Sequence, residues 1–203
     1  MNHLVGLDTL LEIMLGISLS AASGFRVFMP LLVMSAAAVV GHLDLPANFD
    51  WVETPQALAV LAVACTLEVG GYYIPWFDHL LDIVATPVAI LTGTIVTASV
   101  APEMNPVWQW TLAVVVGGGT AGLTKGLMNL LRLTSTAASG GLTNPVLATI
   151  ELVLATVLSL LAVTLPLVAG VLVLGILVLA LGKLWTFVSR VRSPQRSSSE
   201  VVR

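Results

Sequence analysis

From Asn144 to Gly182 the chain carries a single charged residue, Glu151, and Pro166 divides this run into two halves. Each half has about the 20 apolar residues needed to cross the hydrocarbon core of a bilayer. The pattern recurs: apolar segments are read at 8–40, 55–73, 78–100, 107–131, 144–164 and 167–189. Only 9% of the 203 residues are charged and 57% are hydrophobic. A water-facing surface needs about a quarter of residues charged, so most of this surface must meet lipid. The fold class that follows is all-α, a polytopic transmembrane helical bundle of six spans in one domain, residues 1–189.

Several function classes fall away on the same grounds. The net charge of −3 gathers into no basic stripe, so no nucleic-acid partner is expected. Cys65 is the only cysteine and sits in an apolar run, which excludes an internal disulfide. "MNHLVGLD" lacks a basic n-region, so the first apolar segment is expected to stay as a membrane helix. No cofactor is implied, and the lipid bilayer is the one partner expected; a homodimer is left open.

Cations near segment ends suggest an orientation. "GHLDLPANFDWVET" (41–54) has acids and no Lys or Arg, whereas Lys183, Arg190, Arg192, Arg196 and Arg203 crowd the C-terminal end. Six crossings would then place both termini in the cytoplasm, in a cell inner (plasma) membrane. The tail 190–203, "RVRSPQRSSSE" and the residues after it, reads as a disordered basic extension.

Internal symmetry is also expected. "SAASGFR" and "GTAGLTKG" both set small residues before a cation, Glu68 is echoed by Glu151, and Pro87 by Pro166. Units 5–100 and 107–189 would be inverted three-helix repeats. The first segment holds Ser23, Gly24 and Pro30 in its middle, which predicts a kinked helix or two short half-membrane pieces.

Charges at membrane depth cost several kcal/mol and normally face the bundle interior in pairs. Arg26, Glu68, Asp78, Asp82, Lys125 and Glu151 are the candidates, with Ser23, Gly24 and Asn144 as flanking site residues. Arg132 reads as an anchor at a segment end, and Asn144 as a helix cap ahead of Pro145. Two functions fit these residues: interhelical ion pairs that fix the bundle, or a wetted cavity for a small solute or ion. The second is the reading adopted, a transporter or permease with a charged site near the midplane and cytoplasmic half. Arg26 and Lys125 would contact an anionic group, and Glu68, Asp82 and Glu151 would pair with them or carry a proton.

"DHLLD" sets Asp78 and Asp82 on one helix face, as in some membrane enzymes that hold divalent metal and act on lipid-linked substrates. The further acidic motif that such enzymes carry upstream is missing, so no metal site is assigned. A metal-dependent enzyme stays as an alternative, alongside a structural or assembly protein. No serine hydrolase is expected, since no histidine lies at membrane depth to activate Ser23.

"LSAASGFRVFMPLL", "LEVGGYYIPWFDHLLD" and "GGGTAGLTKGLMNLLRLTSTAASGGLTNPVLATIE" resemble an uncharacterised family of small integral membrane proteins of bacteria with plastid relatives. The resemblance covers nearly all of residues 5–170 and highlights Ser23, Gly24, Arg26, Glu68, Pro75, Asp78, Asp82, Lys125, Arg132, Asn144, Pro145 and Glu151. Family members often carry histidine near Leu123–Thr124; its absence here speaks against a proton relay at that place. The resemblance implies a site without naming a substrate.

Overall fold

The computed structural model describes residues 2–101 and 104–192. Among them there is no strand; every expected apolar segment is helical. The helices are α1 (Asn2–Phe25), α2 (Phe28–Val39), α3 (Pro55–Gly71), α4 (Pro75–Val100), α5 (Pro106–Leu112), α6 (Gly119–Ser139), α7 (Asn144–Thr164) and α8 (Pro166–Arg192). A 3-10 helix, Ala47–Glu53, precedes α3, and a π-helical turn, Ala113–Gly118, joins α5 to α6.

Local chemistry sets the helix starts. Proline opens α3, α4, α5 and α8, where its missing N–H costs nothing. Thr54 Oγ1 accepts from the Ala57 amide at 3.1 Å at the start of α3, and Asn105 Oδ1 accepts from the Val107 amide at 2.9 Å at the start of α5. The cap expected at Asn144 is not formed. Thr143 occupies the N-cap without a side-chain bond, and Asn144 is already helical. Its side chain reaches back toward α6, where Oδ1 accepts from Ser135 Oγ at 3.3 Å.

Four of the described helices are long and apolar enough to cross alone: Gly6–Phe25, Leu80–Val100, Asn144–Thr164 and Pro166–Thr186. The 3-10 helix and α3 together would make a fifth span, bent by 66°. The first expected segment is two helices, α1 and α2, broken at Arg26 and Val27. With 12 residues, α2 is only about 18 Å long, well short of a full crossing.

Contacts fix the direction of each helix. Ser20 of α1 bonds to Gly93 of α4, and Gly16 lies against Thr97 and Val100, so α1 and α4 are antiparallel. Met34 of α2 accepts from Ser99 of α4 at 3.4 Å, the depth of Gly16, so α2 doubles back beside α1. Along α8, Gly170 meets Met14, while Val173 and Leu177 pack with Ile17 and Ala21. The two sets of numbers rise together, so α1 and α8 are parallel. The start of α1 and the end of α8 therefore lie at opposite ends of the bundle. This differs from the expectation of both termini on one face, because apolarity alone could not show that the first segment is a hairpin.

The core follows from these directions. Leu15, Leu19, Met34, Val96, Ala113, Ala162 and Ala169 form one buried cluster with Phe49 and Val52 at the end away from the hairpin tip. At the tip end lie Arg26, the end of α3, the first turns of α4 and α7 and the last turns of α6.

Candidate functional site: a buried charge cluster at the hairpin tip

Arg26 occupies the break between α1 and α2 and is 1% exposed. Breaking a helix there frees the first amides of α2, which have no carbonyl one turn back to meet. Glu68, near the end of α3, supplies the partner. Its carboxylate accepts from the Val27 amide at 2.8 Å and from the Phe28 amide at 3.0 Å. A carboxylate at a helix N-terminus also complements the helix dipole. Glu68 is thus held by backbone, and Arg26 must look elsewhere.

Arg26 finds one good acceptor. Its Nη2 donates to the Ala148 carbonyl of α7 at 2.7 Å, with Glu151 Oε2 farther off at 4.0 Å. Its guanidinium lies 3.9 Å from the centre of the Tyr72 ring. Nε and Nη1 have no hydrogen-bond partner among the described residues.

Around Tyr72 the other charges converge. Arg132 Cζ lies 4.7 Å and Lys125 Nζ 5.7 Å from the ring centre. Cation–π contacts of this kind gain strength where water is excluded. Lys125 Nζ donates to Asp82 Oδ1 at 3.0 Å and to Tyr72 Oη at 3.4 Å. Tyr72 Oη in turn donates to Asp82 Oδ1 at 3.3 Å. Arg132 grips Glu151 with two bonds, Nε to Oε1 at 3.0 Å and Nη2 to Oε2 at 2.5 Å, and meets Asp82 Oδ2 at 3.5 Å. That fork-on-carboxylate geometry is one that arginine offers and lysine does not.

The cluster opens toward the end of the bundle. Asp82 is its most accessible member, its side chain 20% exposed. Asp82, Thr86, Asn129, Arg132, Thr136 and Asn144 line a cavity of about 250 Å³ between α4, α6 and α7. A second cavity of about 340 Å³, under Tyr72, Tyr73 and the Gly140–Gly141 turn, shares Thr136 and Asn144 with the first.

Of the residues expected from sequence, Arg26, Glu68, Asp82, Lys125 and Glu151 come together here, with Asn144 on the rim. The side chain of Asp78 lies outside the described residues. Ser23 and Gly24 take other parts. Ser23 Oγ donates to the Leu19 carbonyl at 3.0 Å, and Gly24 lets α6 approach so closely that a Cβ there would sit 2.7 Å from the Ala121 carbonyl oxygen. The echo between the halves is not one of role. Glu68 caps a helix while Glu151 pairs with guanidinium; Pro87 lies inside α4 while Pro166 starts α8. For a metal, the described residues offer no group of three His, Cys, Asp or Glu, and both oxygens of Asp82 already face cations.

Arg132, Tyr72 and Asn129 were not expected as site residues. The signal was present on α6: Lys125, Asn129, Arg132 and Thr136 follow the i, i+4, i+7, i+11 spacing of one helix face. Tyr72 lies one turn beyond Glu68, at a helix end where an aromatic residue ordinarily reads as an interfacial anchor.

No curated protein and no solved structure matches this chain. A family model does: with residues 13–186 matched, the chain belongs to the family of the domain of unknown function DUF4126.

Proposed function

We propose that this membrane protein transports or conducts a small anionic solute, which enters by the cavity between α4, α6 and α7 and engages the cation cluster around Tyr72. The single observation that carries the reading is Arg26: almost completely buried, with two N–H groups unmatched among the described residues. Leaving a charged donor unmatched in a low-dielectric interior costs several kcal/mol, a cost that a purely structural arginine would have no reason to keep. An anion meeting Nε and Nη1 removes it. The two acids nearest the path, Asp82 and Glu151, already face cations, so an entering anion meets balanced charge.

The orientation that fits is the charged end toward the cytoplasm of a cell inner membrane. Lys183 and Arg190 lie toward that end of α8, and the acid-bearing connection 41–54 lies at the other. The C-terminus would be cytoplasmic and the N-terminus outside.

Propionate is a suitable first probe, with the full chain in lipid nanodiscs and thermal unfolding as the readout. At a hundred times its dissociation constant it should stabilise the protein by about 2.7 kcal/mol. Arg26→Lys keeps a cation but loses the planar fork, so it should fold and lose most of this stabilisation. Counterflow of labelled lactate into proteoliposomes, above that of empty liposomes, would then separate transport from binding alone. An Arg26→Lys variant that folds and keeps the full shift overturns the assignment of Arg26.

A further inference from the structure

We infer that the cavity between α4, α6 and α7 selects, within the anion class proposed above, small carboxylates that also carry a neutral hydrogen-bond donor, as a 2-hydroxy acid does. This rests on the anion reading and narrows it.

The argument starts at Asn129, in the cavity wall. Its Nδ2 donates to Thr86 Oγ1 at 3.1 Å, and Thr86 Oγ1 spends its own hydrogen on the Asp82 carbonyl at 3.2 Å. The hydroxyl therefore has only lone pairs left for Asn129, which fixes the amide with its nitrogen toward Thr86. Turning the amide over would set two acceptors against each other. Oδ1 is left buried with no partner among the described residues. What the wall of this cavity lacks at that point is a donor.

Charge decides which kind of donor. The carboxylate in the wall, Asp82, is faced by Lys125 at 3.0 Å and by Arg132 at 3.5 Å. The second acid near Arg132, Glu151, is taken by its two-bond grip. An incoming ammonium would add a positive charge beside two cations, whereas a hydroxyl adds none. Volume sets the size: about 250 Å³ admits a molecule of a few heavy atoms with some water, each water taking about 30 Å³. The anionic group is drawn by the cations and the hydroxyl by Asn129.

Lactate and propionate differ by that hydroxyl and little else, so they serve as the probes. Both are titrated against the full chain in nanodiscs, with thermal unfolding as the readout. The wild type should bind lactate about tenfold more tightly than propionate, the worth of one satisfied buried acceptor. Asn129→Leu should bring lactate down to the propionate value and leave propionate within about twofold, since the anion contacts are untouched. Thr86→Val, which releases the amide to turn, should narrow the difference in the same direction. Equal binding of the two acids by the wild type overturns the selection and leaves the anion reading standing. That comparison needs no variant to fold. Discrimination that persists undiminished in Asn129→Leu overturns the role of Asn129. Failure of both acids to bind overturns the anion reading and the selection with it.

Discussion

Two polar regions lie inside this apolar bundle, and they are built on different terms. Along the seam where α1, α4 and the π-helical turn meet, every contact is neutral and short-range. Ser20 Oγ donates to the Gly93 carbonyl at 2.8 Å and lies 2.7 Å from Thr97 Oγ1, and Thr97 Oγ1 lies within 3.3 Å of the Gly16 carbonyl. Gly117 presses so closely on Thr97 and Gly93 that no Cβ would fit between them. The seam is a packing device in which small side chains let helices close up and hydroxyls satisfy one another. The hairpin tip instead gathers three cations and three carboxylates, and it still leaves donors of Arg26 over. Polarity in a membrane interior is therefore not by itself a sign of a site. A surplus is.

The sharpest way to break this contrast is to remove a charge at the tip. Arg132→Ala strands Glu151, and with it Asp82 loses a partner, so stability should fall by about 3–5 kcal/mol. Adding Glu151→Gln should recover part of the loss, a coupling that a double-mutant cycle in thermal or denaturant unfolding reads directly. Strict additivity would show that the two-bond grip between α6 and α7 carries no energy. A middle-sized effect is expected at Glu68. Glu68→Gln keeps an oxygen for one α2 amide and loses the charge, at about 0.5–2 kcal/mol, the range of a helix cap. Pairing it with Arg26→Lys should give nearly additive losses, since Glu68 is bound to backbone and not to Arg26. Strong coupling would redraw the cluster.

The smallest effect belongs to the seam. Ser20→Ala removes one hydroxyl between helices and should cost about 0.6 kcal/mol, the average found for such bonds in membranes. It should leave the stabilisation by propionate unchanged. A seam variant that abolishes that stabilisation would erase the distinction between the two regions.

Helix positions were legible in the sequence because lipid imposes length and apolarity on each segment. The expected 144–164 and 55–73 coincide closely with α7 and α3. Direction was not legible. The stretch 8–40 looked like one long helix with a weak middle, and its Ser23, Gly24 and Pro30 marked a break near the right place. That the chain doubles back depends on Glu68, far along the sequence, meeting the amides of Val27 and Phe28. The same fact explains why Glu68 is not the partner of Arg26 that its charge suggested: two freed amides claimed it first. Most of the charge cluster was legible from cost alone, since ionisable groups at membrane depth must meet. Arg132 was not, because a basic residue at the end of an apolar run ordinarily serves to anchor it. Tyr72 could not be recognised at the centre before the helices that carry its three cations were placed around it.

The bond from Glu68 to Val27 spans 41 residues of chain, and this separation sets a timetable for biogenesis. During synthesis α1 and α2 emerge well before the end of α3, so the insertion machinery first meets 8–40 as one long greasy stretch whose hinge has nothing to hold it. The hairpin can close only after α3 has been made and brought alongside. Any arrest of translation that leaves α3 inside the ribosome should trap the amino-terminal segment unfolded at its hinge. The first third of this protein thus inserts before it folds, and its final course through the bilayer is settled by a carboxylate that arrives later.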